Sequence, residues 1–138
     1  MMTNRREIQV EWGDCDPAGI VYFPRFFEYF DAATGALFEK AGLAKAEMLQ
    51  KYGLLGIPLV EAAAQFFVPA RFGETVAVET SIVEWGGSSF RVEHKLYKGN
   101  QLAAEGRERR VWTVRDPQRA SGMRSEPIPQ EVKDRFAK

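Results

Sequence analysis

The sequence predicts an α+β domain in which a curved antiparallel sheet of about five strands wraps around one long central helix. Two observations carry that expectation. A segment near the N-terminus has an aromatic stripe at helical spacing, and the chain from Ile57 onward is rich in β-branched and aromatic residues punctuated by glycine. The 138 residues, 45% hydrophobic and 12% aromatic, suffice for a single domain spanning 1–138 with a real core, and leave no room for a second.

In chain order, Glu7 to Trp12 reads as a short strand and is followed by a turn crowded with Gly, Asp and Pro. Pro24 suits the first turn of a helix that runs from about Arg25 to Lys40. Its apolar stripe is Phe26, Phe27, Phe30, Ala33, Leu37 and Ala41, and Gly42 stops it with Lys40 near the negative end of the dipole. Ala44 to Tyr52 reads as a shorter amphipathic helix ended by Gly53. Strand segments then cover Ile57 to Pro69, Glu74 to Trp85, Ser88 to Lys98 and Gln101 to Arg115. Because the breaks at Arg71-Phe72-Gly73, Gly86-Gly87 and Lys98-Gly99-Asn100 are short, successive strands are expected to pair antiparallel as a meander. After Asp116 the tail, with Pro117, Pro127 and Pro129, reads as a loop ending in a short helix near Glu131 to Phe136. A sheet covered by a single helix leaves apolar residues on its other side, so at least a dimer is expected.

Composition excludes several function classes. Lysine plus arginine equals aspartate plus glutamate at 19 each, so charge recruits neither nucleic acid nor a membrane surface. No run approaches the ~20 apolar residues of a membrane-spanning helix. The lone Cys15 makes no internal disulfide and no apolar signal core follows the N-terminus, which points to the cytoplasm. One histidine and one cysteine fall short of a zinc ligand set, and no phosphate-loop or dinucleotide fingerprint is present, so no metal or cofactor is expected.

The chemistry concentrates in Gly13-Asp14-Cys15-Asp16-Pro17-Ala18-Gly19-Ile20-Val21-Tyr22-Phe23-Pro24. Pro17 biases Asp16 toward an extended conformation, and the glycines allow bends on either side. The carboxylate thus faces a helix start whose free N–H groups stabilise negative charge growing on a carbonyl oxygen, an arrangement suited to acyl transfer. On local chemistry alone, an Asp before a helix is more usually a cap that satisfies one backbone donor.

The whole string resembles the signature of the hot-dog-fold acyl-CoA thioesterases, most nearly the 4-hydroxybenzoyl-CoA thioesterase branch. The likeness continues in order through Asp31-Ala32-Ala33, Ala41-Gly42-Leu43, Gly56-Ile57-Pro58-Leu59-Val60, Glu84-Trp85 and Ser89-Phe90. It implies the hot-dog fold and hydrolysis of an acyl-CoA thioester, with an aromatic acyl group favoured over short or branched aliphatic ones. It also implies a homo-oligomer, dimer or tetramer, with active sites at the dimer interface. By resemblance Asp16 is the catalytic carboxylate, acting as nucleophile or general base, the Phe23 N–H polarises the thioester carbonyl, and Asp31 borders the acyl pocket. Tyr22 is expected to line that pocket, and Asp14 to organise the loop.

Two departures from the branch stand out. Glu61 replaces a small polar residue, as an added pocket base, a partner for Arg71, or a solvent-facing acid at a strand edge. Gly86-Gly87-Ser88 lacks the basic residues that contact coenzyme A phosphates. Those contacts then fall to Arg91, Lys95, Arg107, Arg109 or Arg110, to the N–H groups of the glycine-rich turn, or to no group if the thioester hangs on a carrier protein. Ser89 joins Arg91 among the candidate substrate contacts. In the strand holding Arg107 to Arg110, the charges are expected to face water or pair across to Glu93. His94 reads as a packed core histidine and Cys15 as a small buried residue. A hot-dog-fold dehydratase and a noncatalytic acyl-thioester binding protein share the fold. The dehydratase would place a histidine beside an acid near the central helix, whereas the only histidine, His94, lies far along the chain in a strand.

Overall fold

In the computed structural model, which describes residues 1–137, the elements run β1 (Thr3–Gln9), α1 (Phe23–Lys40), α2 (Lys45–Tyr52), β2 (Leu54–Gly56), β3 (Leu59–Phe66), β4 (Thr75–Trp85), β5 (Ser89–Lys98), β6 (Gln101–Val111), β7 (Thr113–Arg115), β8 (Met123–Ser125) and α3 (Gln130–Arg135). Helix α1 carries Pro24 in its first turn and Lys40 in its last. It stops at Gly42, whose φ of +77° is a conformation glycine adopts without strain. Its buried face is Phe26, Tyr29, Phe30, Ala33, Thr34, Leu37 and Phe38; Phe27, expected in the stripe, is half-buried and Tyr29 takes its place. The expected α+β class holds. Among the described residues no helix is long and apolar enough to cross a membrane.

The five-stranded antiparallel sheet has the order β1-β4-β5-β6-β3. β4, β5 and β6 form the expected meander, but β3 pairs with β6 at the far edge and β1 pairs with β4. The segment between β3 and β4 is therefore a crossing and not a tight turn. It has to span three strand spacings, about 14 Å, whereas eight extended residues reach about 26 Å. Phe67 and Val68 N–H donate to Ala103 O on the way, and Lys98 Nζ donates to Pro69 O. Three boundaries also differ from expectation. β1 starts at Thr3 because its ladder with β4 extends to Ser81, and Trp12 lies in a short 3-10 turn. The expected strand at Ile57 to Pro69 is preceded by β2 and ends at Phe66. The strand expected to reach Arg115 breaks at the buried Trp112, where β7 leaves to form a three-stranded sheet ordered β2-β7-β8.

Helix α1 approaches β6 closely at Gly106. A Cβ on Gly106 would stand 2.5 Å from Phe30 Cε2, so glycine is what lets the ring lie against the strand. Phe30 in turn stacks on His94 at 4.8 Å and 13°. The buried apolar residues divide into one cluster around the N-terminal half of α1 and another around its C-terminal half with α2 and α3.

The outer face of the sheet is charged rather than apolar, contrary to expectation. Glu61, Arg109, Arg91 and Glu84 face one another in a row across four strands, and Gln65, Glu105, Lys95, Glu79 and Arg5 make a second row. Exposed apolar side chains gather instead at Leu59, Val60, Phe66 and Phe67, on and just past edge strand β3, and at Tyr22 and Phe23.

Candidate active site

The loop before α1 is a small hairpin. Asp16 N–H donates to Ile20 O at 2.9 Å, Gly19 N–H donates to Asp16 O at 2.9 Å, and Cys15 bridges Val21. Pro17 and Ala18 form the turn, and Gly19 closes it with φ +79°, the left-handed step that a three-residue hairpin loop requires. Asp16 is half-buried at the first corner. Its Oδ1 accepts from the Ala18 N–H at 2.9 Å; among the described residues Oδ2 has no hydrogen-bond partner and no cation sits within ion-pair distance.

The returning arm delivers the helix start. Val21 N–H donates to Ala70 O and Tyr22 N–H to Asp14 O, both at 2.8 Å, so the backbone is held on two sides just before Phe23. Tyr22 is the extended N-cap, and its carbonyl accepts from Arg25 N–H. Among the described residues no loop, turn or cap bond uses the Phe23 N–H, one of the orphan donors of the helix N-terminus. An open apolar groove of about 360 Å³ runs beside it between Ile20, Phe26, Phe66 and Pro69.

Asp14 serves the scaffold. It accepts from the Tyr29 hydroxyl at 2.8 Å and from Glu11 N–H at 3.1 Å. Burial, reinforced by this carboxylate, pushes the Tyr29 hydroxyl well above its usual pKa. Cys15 is half-buried, with Sγ 3.6 Å from Glu11 O.

Asp31 lies eight residues beyond Phe23, about 12 Å of helix rise. Its Oδ1 accepts from Arg110 Nη2 at 2.7 Å, and it borders a cavity of about 490 Å³ between α1, α2 and β2. The walls are mostly apolar, with Phe38, Leu43, Met48, Leu54 and Ile57, while Thr34, Thr113 and Arg110 are polar.

Glu61, Ser89 and Arg91 do not join Asp16 within one chain. Glu61 is exposed and faces Arg109, not Arg71, and Arg91 Nε lies 3.7 Å from Glu84 Oε2 on the same outer face. Ser89 opens β5, where its carbonyl accepts the Gly86 N–H at 2.7 Å. The expectation for Arg107 to Arg110 divides. Arg107 and Arg109 are exposed, with Arg107 opposite Glu93, but Glu108 and Arg110 are buried on the helix side of β6. Arg110 is therefore not a surface contact for phosphate.

His94 is buried as expected, yet it belongs to a polar seam that the sequence reading missed. Its Nδ1 is 2.8 Å from Thr80 Oγ1 and its Nε2 is 3.2 Å from Glu108 Oε2. Glu108 Oε1 accepts from Thr34 Oγ1 at 2.7 Å and from Arg110 Nε at 2.8 Å. Burial alone would raise the Glu108 pKa; the bonds from His94 and Arg110 outweigh it and hold the carboxyl at about 2. The signal was available. Counting alternate residues between buried Gly106 and buried Trp112 places 108 and 110 on the core face.

Comparison with known proteins agrees with this architecture. Residues 10–136 match the model of the thioesterase-like superfamily. The 4-hydroxybenzoyl-CoA thioesterase of Pseudomonas sp. (strain CBS-3) is 35% identical over 117 residues, covering 80% of this chain and 83% of that one. The 1,4-dihydroxy-2-naphthoyl-CoA hydrolase of Synechocystis sp. is 28% identical over 132 residues, 94% of this chain and 91% of that one. A solved structure of a 4-hydroxybenzoyl CoA thioesterase mutant complexed with 4-hydroxybenzoyl CoA superposes with a TM-score of 0.89 at 30% identity, covering 98% of this chain and 99% of that one. With the superposed fold and the sequence match in agreement, the chain belongs to the thioesterase-like superfamily, among the hot-dog-fold acyl-CoA thioesterases.

Proposed function

We propose that this enzyme hydrolyses an aromatic, hydroxyl-bearing acyl-CoA thioester to the free acid and coenzyme A, with Asp16 as its reacting carboxylate. The observation that carries the proposal is the hairpin, which sets Oδ2 of Asp16 and the N–H of Phe23, both without a partner among the described residues, on adjoining arms. The thioester oxygen accepts from the Phe23 N–H, where the helix start stabilises the charge that attack creates. Asp16 either attacks the carbonyl carbon, expelling the coenzyme A thiolate and leaving a mixed anhydride that water opens, or takes a proton from the attacking water.

Two observations favour an aromatic acyl group with a hydroxyl. The named relatives act on 4-hydroxybenzoyl-CoA and 1,4-dihydroxy-2-naphthoyl-CoA, both hydroxylated aromatic thioesters. The cavity bordered by Asp31 is largely apolar and offers a carboxylate acceptor in its lining. Tyr22, exposed beside the helix start, is placed to line the entrance.

The phosphates of coenzyme A fall to the outer face. Arg91 and Arg109 stand directly opposite each other, a like-charge pair that an anion would relieve. Since Glu61, Ser89 and Arg91 lie away from Asp16 of their own chain, we assign them to the active site of a second copy. The apolar edge at Leu59, Val60 and Phe66, with Tyr22 and Phe23, is the surface such a homodimer would bury, whether or not dimers pair further into tetramers. The single free Cys15 suits the reducing cytoplasm.

The test is release of free thiol from a panel of acyl-CoA and acyl-carrier-protein thioesters. Hydroxylated aromatic acyl-CoA should give the highest kcat/KM, and Asp16→Asn should lower kcat at least about 100-fold. Tight acyl-CoA retention without thiol release, or full activity in Asp16→Asn, overturns the reading.

A further inference from the structure

The polar seam under α1 reaches the cavity through Arg110. The guanidinium makes three bonds in three directions: Nε to Glu108 Oε1 at 2.8 Å, Nη1 to Ile57 O at 3.0 Å, and Nη2 to Asp31 Oδ1 at 2.7 Å. Glu108 is held from behind by His94 and Thr34. The Arg110 side chain is only 5% exposed, whereas that of Asp31 is 66% exposed on the solvent side of the helix. Without a fixed partner, such an aspartate would be a solvated side chain with free rotamers.

We infer that Arg110, braced by Glu108, is a positioning residue that sets the Asp31 carboxylate at the mouth of the cavity and thereby selects an acyl group with a hydroxyl at its far end. The inference rests on the thioesterase reading above. Oδ1 of Asp31 is committed to the guanidinium, which leaves Oδ2 to accept from the substrate. The second hydrogen on Nη2 is a donor beside that acceptor. A hydroxyl, which both donates and accepts, satisfies this pair, whereas an unsubstituted ring leaves both groups desolvated and unpaired. Three bonds in one plane require the guanidinium fork, so a lysine at this position would keep the charge and lose the brace.

The readout is the ratio of kcat/KM for 4-hydroxybenzoyl-CoA to that for benzoyl-CoA, measured for the wild type, Asp31→Asn, Arg110→Lys and the Asp31→Asn/Arg110→Lys pair. We expect the wild type to favour the hydroxylated substrate about 10-fold or more, and each single variant to lose most of that ratio. The pair should lose no more than either single variant, because both changes remove one contact. Where Arg110→Lys does not fold, Arg110→Gln/Glu108→Gln removes the buried charge together with its counter-charge, and the same loss of ratio is expected. A ratio unchanged in Arg110→Lys or the replacement double variant, with hydrolysis otherwise intact, overturns the positioning role and leaves the hydrolase reading standing. Ratio losses that add in the pair overturn it as well. A wild type inert on every thioester removes both.

Discussion

The Tyr29 hydroxyl donates to Asp14 Oδ2 at 2.8 Å, tying the second turn of α1 to the loop that carries Asp16. Because Asp14 also accepts from Glu11 N–H, one carboxylate fixes both the entry and the middle of the loop. Tyr29→Phe removes the donor but keeps the ring in the core, so its stability cost should stay near 1 kcal/mol. The larger effect belongs on turnover. With Asp16 less firmly aimed, kcat should fall several-fold while the far-UV spectrum is unchanged; a kcat equal to wild type would show that the loop holds without this tie.

The Phe23 N–H is tested by proline, which removes the amide hydrogen and the ring, against alanine, which removes the ring alone. Proline is tolerated at the first helical position, and Tyr22 already has the extended backbone (φ −67°, ψ 126°) that a following proline demands. Phe23→Pro should therefore fold and lose roughly 100- to 1000-fold in kcat, the usual cost of one oxyanion donor. Phe23→Ala keeps the N–H and should stay within several-fold of wild type. Equal losses in the two variants would assign the effect to the ring rather than the amide.

At Gly106 the contact is steric. An added methyl meets Phe30, which is fully buried and backed by His94, so the ring has nowhere to retreat. Gly106→Ala should destabilise by about 1–3 kcal/mol through overpacking, seen as a lower Tm, despite alanine's gain in backbone entropy. A Tm at or above wild type would mean that the sheet can move away from the helix.

These predictions draw on features of unequal legibility in the sequence. Pro24 and Gly42 bracket α1 by stereochemistry, and Gly86-Gly87 and Gly99-Asn100 mark hairpins that exist, because turn residues act locally. The edge position of β3 was not legible, since Arg71-Phe72-Gly73 reads as a turn while Phe67 to Glu74 as a whole is long enough for a crossing, and only the partner strand decides. The charged run Arg107-Glu108-Arg109-Arg110 masked a regular alternation, because charge argues for water while register puts Glu108 and Arg110 inside, where paired partners stabilise them. The Asp16 turn could be read from Gly, Asp and Pro alone. Its separation from Glu61, Ser89 and Arg91 within one chain could not, because strand order sets that distance.

The buried Glu108 makes stability depend on acid in a defined window. Its carboxyl titrates near 2 in the folded chain against a usual 4.5, so between those values the unfolded chain binds more protons. Stability from this group is therefore complete above about pH 4.5 and is lost as pH falls toward 2, on the order of 3 kcal/mol in all. Glu108→Gln has no carboxylate to protonate. It should be less stable than wild type at pH 7, where it gives up the carboxylate's charge-assisted bond to Arg110 and its contact with His94, and the difference should narrow steadily in urea unfolding curves taken from pH 5 to pH 2.5. Parallel acid limbs for the two proteins would place the acid sensitivity on other carboxylates and deny Glu108 its ionised role in the seam.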